Sequence, residues 1–143
     1  MTDLPISSEA RRLTEEEKVQ LREWGYVKNL PVFDEAAVPM LQQHFHELNA
    51  LLPEGTEMTR VNNWHKANRW VYELSRTSAI LDYVEDAIGP NFYQWGAQFF
   101  SKFPGDGTEV PWHQDAQYWP LSPQRTVTVW LAFFDTDSST GAM

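Results

Sequence analysis

The pair Gly89-Pro90 divides the chain into two textures that do not belong to one kind of layer. A glycine supplies the left-handed residue that ends a helix, and a proline shortly after cannot continue it. Before this break the signals are helical. Thr14 followed by Glu15, Glu16 and Glu17 is a capping box, with three carboxylates at the positive end of the helix dipole. That helix is expected over 14–24, ending at Gly25, with Leu21 and Trp24 on one face. A short strand is expected from Tyr26 to Leu30. Asp34 caps a second helix over 37–52, where Val38, Leu41, Phe45, Leu48 and Leu52 recur at spacings of three and four and Pro39 is tolerable near the start. Residues 53–67 read as loop or irregular strand, and a third helix is expected over 78–88 with Thr77 or Ser78 as cap.

After Pro90 the period shortens. Residues 92–103 are aromatic and strand-like, and Pro104-Gly105-Asp106-Gly107 reads as a turn. Over 126–134, Val127, Val129, Leu131 and Phe133 fall on one face, and Thr128, Trp130, Ala132 and Phe134 on the other. Both faces are mostly apolar, which predicts a strand covered on both sides. Helices first and strands second predict an α+β fold. Native proteins avoid a long apolar edge such as the one after Phe134. Further strands are therefore expected, and the chain reads as a C-terminally truncated portion of one domain over 13–143, preceded by a flexible arm over 1–12.

Composition narrows the chemistry. The length fits one domain. With no cysteine, disulfides and thiolate metal sites are excluded, so a metal must use His, Asp or Glu. A net charge of −9 repels nucleic acid and anionic membranes. The N-terminus lacks the basic and apolar regions of a signal peptide, and no apolar run approaches membrane-spanning length. A cytoplasmic location is expected.

The residues that carry chemistry lie in Trp112-His113-Gln114-Asp115. On an extended strand, His113 and Asp115 would point to one face and bring an imidazole nitrogen and a carboxylate oxygen to one point. Those are two of the three ligands of a 2-His-1-carboxylate facial triad for Fe(II). The residues alone leave open a surface-loop pair in which His113 merely stacks on Trp112. No histidine follows His113, and His44, His46 and His65 are poorly placed to serve as the third ligand.

From Leu13 onward the chain resembles the phytanoyl-CoA dioxygenase family of Fe(II)- and 2-oxoglutarate-dependent oxygenases. The likeness rests on Leu13 to Val27, on Ile88-Gly89-Pro90-Asn91 and on Phe99 to Gly105. It continues through Trp112 to Trp119, Val127 to Asp135 and the turn Thr140 to Met143. It implies helices packed outside a double-stranded β-helix (jelly-roll, cupin-like) core, incomplete in this chain. It assigns His113 and Asp115 to iron. It assigns Gln98 and Trp130 to the 2-oxoglutarate pocket, with Asn63 as a looser polar contact and Lys102 at a turn or pocket rim. From the residues alone, Trp130 is equally a core residue and Gln98 a buried amide bonded to backbone. The implied activity is hydroxylation of a small organic or acyl substrate with Fe(II), 2-oxoglutarate and O₂. Related halogenases replace the ligand aspartate with a small residue, whereas Asp115 is present. Two other readings are a non-catalytic ligand-binding β-domain and an inactive fragment or pseudoenzyme. With two ligands and no arginine placed for the co-substrate's far carboxylate, the chain alone is expected to bind Fe(II) weakly and to leave 2-oxoglutarate intact.

Overall fold

The computed structural model describes residues 3–141 except Asp106 and Thr108, and of Ala116 only the backbone. The ends of the proposed arm and of the Thr140 turn, and part of the turn at Pro104, thus lie outside the described residues. Five α-helices form before the Gly89-Pro90 break: α1 Glu15–Trp24, α2 Val38–Ala50, α3 Trp64–Ala67, α4 Arg69–Ser75 and α5 Ser78–Ile88. Local chemistry accounts for their ends. Thr14 and Glu17 form the reciprocal capping box, and Gly25 (φ 81°) donates its N–H to the Leu21 carbonyl. Asp34 caps a 3-10 turn, Glu35–Ala37, that leads into α2, and Pro39 sits in the first turn of α2. The Thr77 hydroxyl caps nothing in α5 and instead bonds the Leu74 carbonyl at the end of α4.

Residues 53–63 are irregular apart from a 3-10 turn, Met58–Arg60, as expected; α3 takes the last four residues of the expected loop, and α4 follows it where no element was expected. Asn68 joins them, accepting from the Val71 N–H at the start of α4. The strand expected from Tyr26 to Leu30 is coil, interrupted by Asn29 in the left-handed region (φ 61°). No described helix is long and apolar enough to cross a membrane.

The buried residues fall into adjoining clusters. Leu13, Val32, Ala79, Ile80 and Tyr83 pack α1 and its flanks on α5, and the Tyr83 hydroxyl donates to the Pro31 carbonyl at 2.9 Å. Leu4, Ala37, Leu41 and Leu74 join α2, α4 and the N-terminal stretch. Ser7 N–H bonds the Val32 carbonyl and Asp34 N–H bonds the Pro5 carbonyl, so residues 4–7 contribute to the core. Phe45, Leu48, Met58, Trp64 and Val71 form the third cluster, against which Ala97, Phe99 and Phe133 pack.

An ionic clamp fastens the segment leading into α1 to α5. Arg12 reaches Asp86 at 2.7 Å and Asp82 at 3.0 Å, while Asp86 also accepts from the Leu13 N–H. Burial alone would push the Asp86 carboxyl up; the Arg12 and Leu13 hydrogen bonds outweigh it and leave it below the ordinary value. The Arg11 guanidinium holds Glu17 at about 2, against 4.5 for a free glutamate. Both groups titrate lower folded than unfolded. Their stabilisation is therefore complete above the unfolded values and is lost as pH falls through the folded ones. The melting temperature is expected to drop as pH falls from about 4.5 towards about 2. Asp86→Asn should melt lower at neutral pH and show a shallower acid slope; an unchanged slope would remove Asp86 from the clamp.

The jelly-roll expectation is corrected by the second half of the chain. Among the described residues there is no β-strand, only isolated bridges pairing Ile6 with Phe33 and Asn62 with Gln98. The described residues of 92–134 are irregular apart from one 3-10 turn, Asp115–Tyr118. The reason is physical. An alternating pattern specifies an extended backbone and its two faces, but a strand exists only where a second segment supplies the ladder of hydrogen bonds. Over 126–134 the expected alternation holds in part: Val127, Leu131 and Phe133 are half-buried, while Val129 on the same face is 46% exposed. On the opposite face, expected to be covered, Trp130 is 60% exposed, while Phe134 packs on α2, against Phe45 and His46.

Candidate metal centre

His113 and Asp115 come together, though not by the strand alternation expected of them. His113 lies in the irregular stretch before the 3-10 turn that begins at Asp115. The turn brings His113 Nε2 to 3.2 Å from Asp115 Oδ1. On the far side of the ring, Nδ1 is 2.8 Å from the Pro111 carbonyl. A carbonyl can only accept, so Nδ1 carries the proton. In the neutral ring Nε2 then presents its lone pair to a carboxylate oxygen. Two acceptors in that position repel unless positive charge lies with them, either a proton on Nε2 or a cation between the two atoms.

The spacing fits a cation. Donor atoms each about 2.1 Å from one metal, in neighbouring octahedral positions, are themselves about 3.0 Å apart. The Pro111 carbonyl orients the ring from its other nitrogen, the kind of contact that commonly orients histidines at metal sites. The Thr128 hydroxyl is 3.4 Å from Asp115 Oδ2, and Tyr118 meets the His113 ring edge-on at 5.9 Å between centroids. The pair is open to solvent, and the neighbouring Trp112 is 90% exposed. Among the described residues no third His, Asp or Glu joins to make a three-donor group.

The other expected residues are placed as follows. The Gln98 side-chain amide donates to the Thr59 carbonyl, and its backbone bridges Asn62. Trp130 lies on the open face of the extended segment. Asn63 is left-handed (φ 61°) at the start of α3. Lys102 donates to the Gly141 carbonyl at 3.1 Å, which ties two loops together. His44 stacks on Trp70 at 4.3 Å, and His46 packs against Phe45 and Phe134. The His65 Nδ1 is buried without a partner among the described residues, and burial, aided by the Lys66 charge, lowers its basicity. An open depression of about 370 Å³, lined in part by Leu4, His44 and Trp70, and another of about 300 Å³ beside Arg12 and Ala79 lie away from the pair. Sequence reasoning missed Pro111, Tyr118 and Thr128. Of these only Thr128 left a signal, as a hydroxyl between two valines in the apolar run carrying Trp130.

His113 and Asp115 thus bring a ring nitrogen and a carboxylate oxygen edge to edge. A profile of the phytanoyl-CoA dioxygenase (PhyH) family matches residues 21–143, and the chain belongs to that family. Members of this dioxygenase-type family generally use Fe(II) and 2-oxoglutarate. No curated protein and no solved structure matches the chain.

Proposed function

We propose that the protein is an Fe(II)- and 2-oxoglutarate-dependent dioxygenase that hydroxylates an unactivated C–H bond of a small organic or acyl substrate. The observation that supports this most strongly is the approach of His113 Nε2 to Asp115 Oδ1 at 3.2 Å, in a chain of this family. When bound, the iron supplies activation of O₂ coupled to decarboxylation of 2-oxoglutarate to succinate and CO₂. The residues do the holding. His113 gives Nε2 and Asp115 gives Oδ1, while the Pro111 carbonyl fixes the ring so that Nε2 and not Nδ1 faces the ion. Gln98 and Trp130 serve the co-substrate in this reading. Gln98 is steadied by Thr59, and its amide group has a second N–H to give to a carboxylate. Trp130 offers a flat apolar wall.

The test is an anaerobic mixture of protein, Fe(II) and 2-oxoglutarate, read by visible charge-transfer absorption. A weak band that disappears in His113→Ala is the expected result. Equal absorbance in wild type and variant would contradict the reading. The shortage of a third donor among the described residues favours one other reading, a domain that binds an organic acid without turning it over. In that case 2-oxoglutarate would bind equally well with and without metal.

A further inference from the structure

The two oxygens of Asp115 have different neighbours. Oδ1 faces His113 Nε2 at 3.2 Å, and Oδ2 accepts from the Thr128 hydroxyl at 3.4 Å. The Thr128 contact spans two separate segments, and the later one is pinned at both ends. At the near end, Arg125 Nη2 donates to the Ile88 carbonyl at 2.8 Å, at the negative end of the α5 dipole. At the far end, Gln42 of α2 donates to the Phe133 carbonyl at 2.9 Å. Between these pins, Leu131 and Phe133 seat the segment on the helical core. Thr128 is thereby carried on the helical layer, whereas Asp115 stands at the head of a short exposed turn.

We propose that Thr128 is a positioning residue for Asp115. Its hydroxyl takes Oδ2, so that the carboxylate offers Oδ1 alone beside His113 and serves as a one-oxygen ligand. An unrestrained exposed carboxylate rotates freely about its last bond and presents either oxygen, or both. Occupying one of them selects the geometry that leaves neighbouring positions on a cation open. This inference rests on the metal-holding reading of His113 and Asp115. A contact of 3.4 Å is longer than the roughly 2.5–3.0 Å of a usual hydroxyl hydrogen bond. Its effect on metal affinity therefore belongs at the lower end of the range for groups that orient ligands, about tenfold.

The experiment is a Co(II) titration of the whole chain, followed by visible absorption, for wild type, Thr128→Val, Thr128→Ser and His113→Ala. Thr128→Val keeps the shape and loses the hydroxyl. It should weaken Co(II) binding about tenfold and alter the band shape while leaving the metal-free melting temperature unchanged. Thr128→Ser should restore most of the affinity. If Thr128→Val binds like wild type while His113→Ala does not, the positioning role is overturned and the metal reading stands. Failure of serine to rescue would likewise overturn it, by assigning the effect to the methyl group. If His113→Ala binds like wild type, both fall together.

Discussion

Phe45→Ala is expected to destabilise the protein by about 3–5 kcal/mol. Phe45 is 6% exposed on the inner face of α2. Its ring meets Phe99 at 5.7 Å and Phe134 at 5.4 Å, both edge-on, the geometry aromatic pairs prefer. It therefore joins the helical layer to two separate pieces of the irregular half. Truncation removes the transfer free energy of a buried ring and leaves a cavity whose walls, α2 on one side and Trp64 and Met58 on the other, do not collapse easily. Against a total stability of about 5–15 kcal/mol for an ordinary domain, this is a large share. Urea unfolding should show a lower midpoint. A shift worth under about 1 kcal/mol would mean that Phe99 and Phe134 are not packed on α2 as described.

The second large effect concerns the site. Replacing a group that merely orients a ligand costs about 10–100-fold in metal affinity, so removing His113 itself should cost at least about a hundredfold. His113→Ala should do this without lowering the metal-free melting temperature, because the side chain is open to solvent and lies outside the buried clusters. A fall in melting temperature with unchanged metal affinity would return His113 to the surface-loop role.

What the sequence made legible was local. Both ends of α1 and the C-terminal end of α5 follow from Thr14, Glu17, Gly25 and Gly89, whose side-chain and backbone preferences act over a few residues. The inner face of α2 follows from the three-and-four spacing of Leu41, Phe45 and Leu48. The helices α3 and α4 were not legible. Each is short, and their positions depend on Asn63 and Asn68 and on Trp64 and Val71 packing beneath α2. The jelly-roll failed for a different reason. Alternation over 126–134 specifies an extended chain, but pairing is a non-local property, and the residues that hold this segment are Gln42 and Arg125, through single side-chain bonds. The proximity of His113 and Asp115 was expected from a strand and arises from a turn. A separation of two residues is short enough for either backbone to bring the side chains together. Gln98 and Trp130 were named through family likeness; the backbone bond expected of the Gln98 amide from the residues alone is present, to Thr59, though Gln98 is exposed, whereas Trp130 is open to solvent and not a core residue.

The most direct test of the account is a double-mutant cycle on metal affinity across His113 and Asp115. Fe(II) or Co(II) is titrated into wild type, His113→Ala, Asp115→Ala and the double variant. Groups that hold one ion act as a unit, and losses at interacting sites do not add. The account expects each single variant to lose nearly all specific affinity and the double variant to be hardly weaker than either. Losses that multiply across the cycle, or a single variant that binds like wild type, would show that the two residues do not serve the same ion and would contradict the account.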